Sequence, residues 1–253
     1  MMTVYSRTLL LITSLFLLVG CSETPRNGIH TEWHENGQMK LEGTYKDGQP
    51  DGKVTKWYEN GQKLSESTWK DGKRDGLDAT WYSDGQRWHE ATYKNGEKDG
   101  KETLWYENGH MMLENTFTFK DGKADGKQTH WYENGQKEEE GTWKNGKWDG
   151  NHTSWYENGQ MEMKSTYKNG KLDGNHTSWY ENGQMWYEET YKDGKGDGKW
   201  TRWYRNGQMQ GEGTHKDGKE TRWYENGQMQ AEGTYKDRKF IANKEWDEDG
   251  NPK

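Results

Sequence analysis

The residues of this chain that could carry out chemistry recur at a fixed interval, and that interval limits what they can do together. His152 and His176 stand in identical phrases one repeat apart. In adjacent hairpins such positions would lie roughly 10 Å apart, too far to share one metal ion. Six glutamates of a recurring turn phrase are likewise at least one repeat apart, which argues against a paired acid and base. These glutamates are Glu59, Glu107, Glu133, Glu157, Glu181 and Glu225.

The remaining polar phrases also lack a catalytic pattern. The recurring Asp-Gly-Lys-x-Asp-Gly phrase resembles a cation loop, but turn formation explains each Asp and Gly. The sequence contains no nucleophile with a matching base, no phosphate-binding loop and no metal-ligand cluster. The chain is therefore predicted to be a non-enzymatic protein without a cofactor or a metal.

The one reactive site that the sequence does predict is Cys21, the only cysteine. Residues 1–20 have the pattern of a secretory signal: Arg7 is the only charge, and an apolar run extends from Leu9 to Val19. The run ends in Leu-Val-Gly-Cys, which resembles a bacterial lipobox, so we expect cleavage before Cys21 and lipid attachment to it. The alternative is an ordinary cleaved signal with an incidental cysteine. Ser22, rather than Asp, would direct the protein to the outer membrane of a double-membraned bacterium.

A tryptophan that returns about every 24 residues is the second candidate site. Its spacings are 24, 24, 24, 26, 24, 24, 24, 20 and 23 residues from Trp33 to Trp246. Regular spacing is typical of a repeat protein. A row of exposed rings could stack on sugars or cage a quaternary ammonium, although we expect the rings to pack mainly against one another. The candidate binding ladder comprises Trp57, Trp81, Trp105, Trp131, Trp155, Trp179 and Trp203.

Composition indicates how these rings are held. After Cys21 only nine residues are Val, Ile or Leu, whereas the chain has 16 Trp and 15 Tyr. Aromatic contacts between neighbouring repeats must therefore provide most of the stabilisation, with Met filling gaps. Without residues 1–20 the chain keeps 35 of its 36 Lys and Arg against 43 Asp and Glu, a balance of −8, which argues against nucleic acid as a partner.

Each repeat reads as two strands and tight turns. In one repeat, residues 55–58 form a strand and Asn60-Gly61 a two-residue turn, so that Trp57 faces Leu64 and Tyr58 faces Lys63. The returning strand is expected to end at Asp71-Gly72 and a second Asp75-Gly76. The equivalent structural turns are Asn134-Gly135, Asn158-Gly159 and Asn182-Gly183.

Alternation along the strands then predicts two faces. One face carries Thr55, Trp57, Glu66 and Thr68. The other carries Tyr58, Lys63, Ser65, Ser67 and Trp69, and it is the better candidate for the packed side. The position of Lys63 is a methionine in six repeats: Met39, Met111, Met161, Met185, Met209 and Met229. The spacings of 26 and 20 differ from 24 by even numbers and preserve the faces, whereas the last spacing of 23 does not.

These blocks resemble the bacterial variant of the MORN repeat, whose units read Tyr-x-Asn-Gly followed by Glu-Gly-x-Tyr-x-Asn-Gly-Lys-x-Asp-Gly. The match extends from Thr31 to Lys239. The resemblance implies an all-β fold, an elongated single-layer antiparallel sheet of tandem hairpins of about 24 residues. The predicted organisation is a signal at 1–20, a tether at 21–28, repeats at 29–239 and a divergent cap at 240–253.

The resemblance leaves three functions open, since repeat scaffolds host many partners. The first is an interaction scaffold for envelope proteins, anchored to the membrane through lipid on Cys21. The second is an immunity role, because proteins with this repeat have been described as antitoxins; here the toxin would have to act in the envelope. The third is binding of wall polysaccharide through the tryptophan ladder. The oligomeric state is open, because the terminal strands are exposed edges.

Overall fold

A computed structural model describes residues 27–120, 123–215, 218–236 and 239–253, and in these ranges every regular element is a strand. The strands are β1 (Asn27–Trp33), β2 (Met39–Lys46), β3 (Gln49–Trp57), β4 (Lys63–Lys70), β5 (Lys73–Trp81), β6 (Arg87–Lys94), β7 (Glu97–Trp105), β8 (Met111–Lys120), β9 (Lys123–Trp131), β10 (Lys137–Lys144), β11 (Lys147–Trp155), β12 (Met161–Lys168), β13 (Lys171–Trp179), β14 (Met185–Lys192), β15 (Lys195–Trp203), β16 (Met209–Thr214), β17 (Lys219–Trp223), β18 (Met229–Lys236) and β19 (Lys239–Glu245). Across those four ranges the protein has no helix long and apolar enough to cross a membrane.

The sheet is a meander in which each strand pairs antiparallel with the next. β1 pairs with β2, β2 with β3, and the pattern continues to β18 and β19. This confirms the predicted fold class, an open antiparallel sheet of tandem hairpins. β1 begins at Asn27, within the predicted tether of residues 21–28, and the predicted signal and Cys21 lie outside the described residues.

The Asn-Gly turns are not the two-residue turns that we predicted. Gly61 N donates to Tyr58 O at 3.0 Å, and Tyr58 N donates to Gln62 O at 2.9 Å. Gly61 has a φ of 82°, while Asn60 is not among the residues with positive φ. A two-residue type I′ turn needs positive φ at both central residues, so this loop is instead a type I turn closed by a left-handed glycine and a bulge.

The bulge corrects the predicted pairing at the end of the hairpin. Trp57 lies opposite Lys63, not Leu64, because Leu64 is the extra residue. Lys63 therefore joins the face of Trp57, where its Nζ lies 2.7 Å from Glu66 and 5.5 Å from the ring centroid of Trp81. The assignment of Lys63 and the equivalent methionines to the opposite face was wrong. The body of the hairpin keeps the predicted register, with Thr55 opposite Glu66.

The turn that follows β4 is the predicted two-residue turn. Asp71 and Gly72 have φ values of 47° and 74°, as a type I′ turn requires. Asp75-Gly76, predicted as a second turn, lies inside β5, where the register shifts. Its carboxylate accepts a bond of 3.3 Å from Asn95 N in the next turn, which explains an acidic residue in a strand.

The unequal repeats preserve the faces in different ways. The long repeat pairs β8 with β9 without a bulge, from Leu113 opposite His130 to Lys120 opposite Lys123. In the short repeat the described pairs of β16 and β17, Gly211 with Arg222 and Glu212 with Thr221, also show no bulge. The odd final spacing is absorbed by one extra residue, Asn243, between β18 and β19. Even changes thus keep the alternation, as predicted, and the odd one requires a bulge.

Side chains link each Asn-Gly turn to the next along the sheet edge. Tyr58 Oη donates to Trp81 O at 2.8 Å, and Asn60 Nδ2 donates to Ser83 O at 2.7 Å. The tyrosine bond recurs from Tyr82, Tyr106, Tyr132, Tyr156, Tyr180, Tyr204 and Tyr224. The asparagine bond recurs from Asn108, Asn134, Asn158, Asn182, Asn206 and Asn226. These bonds tie every turn to its neighbour and give the Asn-Gly phrase a structural role.

Asp84 interrupts this row, and its replacement by asparagine should stabilise the protein. Its carboxylate accepts from Gln86 N at 2.9 Å but has no amide hydrogen to donate to the following turn. Asp84→Asn restores the donor and is expected to raise the free energy of unfolding by about 1 kcal/mol, measured by urea titration. Asp84→Ala, which removes the acceptor as well, should lower it. Equal stability of wild type and Asp84→Asn would contradict the proposed role of the row.

Candidate functional site

The two faces differ in how their side chains are used, and one of them holds the sheet together. On the face opposite the ladder, aromatic rings form a continuous chain: Trp143 and Trp148 lie 4.2 Å apart, Trp148 and His152 4.6 Å, and His152 and Tyr167 5.8 Å between centroids. We call this face the packed face; it contains the buried Ser67, Ser165 and Glu189. Its role agrees with the prediction that the Ser67 and Trp69 side is the packed one.

Buried carboxylates on the packed face are held by hydrogen bonds. Burial disfavours the charge of Glu102, but bonds from His89 at 2.9 Å, from Lys98 and from Asn115 lower its pKa to about 2. His152 likewise lowers the pKa of Glu139 through a bond of 2.9 Å. Glu189, only 2% exposed, accepts from Tyr187 and contacts His215. These histidines therefore bind carboxylates as structural partners.

Glycines make room for the largest rings of the packed face. A Cβ atom on Gly141 would lie 2.3 Å from Trp148 Cζ3, and one on Gly213 would lie 2.9 Å from Trp200 Cζ2. Neither glycine has a positive φ, so neither is needed for its backbone conformation. The missing side chain lets an indole from the neighbouring strand lie flat on the backbone, which buries aromatic surface in a thin protein.

The opposite side, which we call the Trp face, carries the candidate ladder in an alternating row. Trp57 pairs with Lys63, Trp81 with Arg87 and Trp155 with Met161. Lys63 and Arg87 lie 5.5 and 5.9 Å from the ring of Trp81, and Lys137 lies 5.6 Å from that of Trp155. No two ladder tryptophans contact each other within the described ranges. The expectation that the rings pack mainly against one another was wrong, because a methionine or a cation separates them.

A second row on the Trp face alternates an acidic residue with a small one. Glu66 lies between Thr55 and Ala79, and Glu140 between Thr129 and Thr153. Most of these glutamates are neutralised by lysines of the same face. Glu66 is 2.9 Å from Lys53 and 2.7 Å from Lys63; Glu140 is 3.0 Å from Lys127 and 2.5 Å from Lys137. Such exposed pairs contribute little stability each, but they leave the row nearly neutral.

The row changes character at β12 and β14. Lys164 occupies the position that is Glu in the other even-numbered strands, and it lies beside Thr177, whose other neighbour is Glu188. Among the described residues neither Lys164 nor Glu188 forms an ion pair. The flanking positions that hold Lys53 and Lys127 elsewhere are here Asn151 and Asn175. A free cation and a free anion thus face solvent about two strands apart, or roughly 10 Å.

The structure separates the predicted residues into those that shape the sheet and those that face outward. Turn residues such as Asn158 and Gly159 close their own turn, and Asn158 Nδ2 also donates to Glu181 O of the next one. The six turn glutamates are exposed and lie in separate turns, as predicted. His152 and His176 have different partners, Glu139 and Ser165, and no metal-binding cluster occurs in the part of the chain that is described. Sequence reasoning missed Lys164, although it is visible as the only lysine at a glutamate position.

Comparisons with known proteins agree with this architecture. The model of the MORN repeat variant family matches residues 26–47, 50–71, 98–118, 124–145, 148–169, 172–193, 196–217 and 216–237. No curated protein matches the chain. A chain of the crystal structure of TcdB2-TccC3-Cdc42 is similar with 10% identity over 89% of this chain and 16% of that one, at a TM-score of 0.22. Repeat sheets of this type are generally binding modules for proteins or membranes and typically non-enzymatic. More than half of the sequence fits the family model, and the chain belongs to the MORN repeat variant family.

Proposed function

We propose that this protein is a non-enzymatic, lipid-anchored envelope protein that binds a partner protein on its Trp face. The observation that carries the proposal is the pair Lys164 and Glu188, whose charges have no partner among the described residues. Two rings of the ladder, Trp155 and Trp179, and two methionines, Met161 and Met185, lie in the adjacent row. Aromatic and Met-rich surfaces with a few charges are typical of protein interfaces.

The anchor is part of this proposal and rests on the lipobox pattern that ends at Cys21. A lipid on Cys21 would hold the sheet close to the membrane, since only a short segment separates that residue from β1. Repeated weak contacts along a row of similar hairpins can add up to useful avidity for an extended partner. An immunity role stays a prediction from the family resemblance.

Binding of polysaccharide is the second candidate, and the spacing of the rings favours it. Because methionines rather than rings separate Trp155, Trp179 and Trp203, the indoles do not stack on each other. Indoles that are separated in this way could each stack on a sugar. Trp81 is the least suitable ring, since Lys63 and Arg87 already lie over it.

Crosslinking of the full-length protein in its own cells tests both candidates. Captured material is identified by mass spectrometry and by a glycan assay, for the wild type, Trp155→Ala/Trp179→Ala and Lys164→Glu. We expect one stoichiometric protein with the wild type and at least tenfold less with either variant. Aromatic anchors and charges that pair with the partner and lose their water on binding dominate such interfaces. Polysaccharide without protein would instead establish the second candidate.

Lys164→Glu is the sharper variant, since glutamate occupies this position in the neighbouring repeats and the fold accepts it. Glu212→Gln is the matched control, because Glu212 is already paired with Lys199 at 2.6 Å. Capture that is unchanged by Lys164→Glu, or lost equally with Glu212→Gln, would show that the β12–β14 region is not the binding site.

A further inference from the structure

The packed face has a second feature that its stabilising role does not use, a slot between two arginines near the C-terminal end. Gly211 in β16 pairs with Arg202 of β15 on one side and with Arg222 of β17 on the other. Equivalent positions in other repeats hold Leu113, Met163 and Tyr187. The missing side chain at Gly211 leaves a concavity of about 310 Å³ that is also lined by Trp200, Tyr204 and Glu220.

Arg202 and Arg222 differ in the contacts that hold their guanidinium groups. Arg202 stacks on Tyr187 and Trp200, with its guanidinium carbon 5.2 and 5.4 Å from the ring centroids, and it has no ion pair with any described residue. Arg222 is held in place: its Nε and Nη2 both lie 2.6 Å from Glu220 Oε1, and its guanidinium lies 4.0 Å from the ring centroid of Phe240. One guanidinium is thus fixed and the other lacks a carboxylate partner.

The geometry points to this slot as a binding site for a single carboxylate, carried by an acidic side chain or by a chain terminus of a peptide. Guanidinium groups recognise carboxylates and phosphates through paired hydrogen bonds. Two arginines and the buried Glu220 leave a net charge of +1. That charge matches a carboxylate better than a phosphate dianion, which Glu220 would repel. Trp200 and Tyr204 offer aromatic surface to the group that carries the carboxylate.

The slot lies on the face opposite the ladder, because Arg202 and Thr201 are adjacent in the strand and Thr201 belongs to the row of Glu188 and Glu212. The inference therefore goes beyond the proposed function and does not depend on it. Its test needs no partner from the envelope, so a negative result here says nothing about the Trp face.

The test is a titration of the ¹⁵N-labelled full chain with benzoate, observed at the arginine Nε–H signals by NMR. We expect the signals of Arg202 and Arg222 to shift, with a Kd on the order of millimolar for so small a ligand. Benzamide, the uncharged analogue, should leave them unchanged. Inorganic phosphate at pH 7.5 should bind more weakly than benzoate. Equal shifts with benzamide, or tighter binding of phosphate, would overturn the assignment.

Two variants make the test specific. Gly211→Leu fills the slot without changing charge, and it should weaken benzoate binding at least tenfold. The fold should tolerate it, since a Cβ atom there would meet its nearest neighbour, Trp200 Cζ3, at an ordinary 3.4 Å and leucine occupies the equivalent position at 113. Arg202→Gln should have a similar effect. Unchanged benzoate binding by Gly211→Leu, with a native circular dichroism spectrum, would refute the site.

A pair of short peptides distinguishes the two sources of the carboxylate. One is acetyl-Gly-Phe-Ala with a free C-terminus, and the other is acetyl-Gly-Glu-Phe with an amidated C-terminus. Each carries one carboxylate and one aromatic ring. The peptide that shifts the Arg202 signal at the lower concentration identifies the terminal or the side-chain carboxylate as the preferred group, and failure of both would contradict a peptide ligand.

Discussion

Gly141→Ser is expected to lower the free energy of unfolding by about 2 kcal/mol, although it adds only a small side chain. A Cβ atom at this position would lie 2.3 Å from Trp148 Cζ3 and 3.0 Å from His152 Cδ2. The indole must therefore move and lose its contacts with Trp143 and His152. Overpacking of a filled site typically costs 1 to 3 kcal/mol. Urea titration followed by tryptophan fluorescence measures the loss.

The next repeat supplies the matched control, because it has Ser165 and Leu172 at the positions of Gly141 and Trp148. Trp148→Leu alone should also destabilise, by about 2 kcal/mol or more, since it leaves space over the glycine. The double variant copies the native pair of the next repeat and should recover at least about 1 kcal/mol of the summed loss. If the losses in unfolding free energy of the two single variants simply add in the double variant, Gly141 does not make room for the Trp148 indole.

Glu102→Gln should remove about 2 to 3 kcal/mol of stability at pH 7, because the folded pKa of Glu102 is about 2 against 4.5 for the ordinary carboxyl. A carboxylate with a lowered folded pKa stabilises the fold fully above its unfolded pKa. That contribution is lost as the pH falls from about 4.5 towards 2. The difference between wild type and variant should therefore be largest at neutral pH and shrink through this window.

The measurement is the free energy of unfolding in urea at pH 7, 4 and 3 for wild type and variant. Glu188→Gln is the control, since Glu188 is exposed and unpaired among the described residues and should show little difference at any of these pH values. A Glu102→Gln deficit that stays constant from pH 7 to pH 3 would mean that hydrogen-bonded charge at Glu102 is not the cause.

The sequence predicted the strands and their pairing well because every repeat shows the same preference for two strands and tight turns. The predicted hairpin register and the alternation of side chains along each strand correctly indicated that Thr55 and Glu66 share a face. The prediction of a two-residue turn at Asn60 was wrong because Asn-Gly is compatible with two kinds of hairpin loop. The bonds from Tyr58 and Asn60 to the next repeat accompany the observed loop, and no single hairpin contains them. One bulge then moved Lys63 to the other face.

The sequence predicted that the candidate site contains a row of tryptophan rings, but not which side chains lie between them. The ladder tryptophans share one face as expected, yet the alternation with methionine and cations appears only once the bulge is known. The sequence shows Lys164 as the only lysine at a position that is otherwise glutamate. It does not show that the charge of Lys164 lacks an ion-pair partner among the described residues. That conclusion requires the register that places Asn151 and Asn175 where other repeats have lysine.

The most direct test of the binding role of the Trp face is site-specific photo-crosslinking in the source cells. A photoreactive amino acid is placed at Asn175, which is exposed on the Trp face, or at Met163, which lies on the packed face in the neighbouring strand. We predict a discrete crosslinked product from position 175 and none from position 163. A product from position 163 alone would contradict the account, because the partner would then bind the face that holds the sheet together.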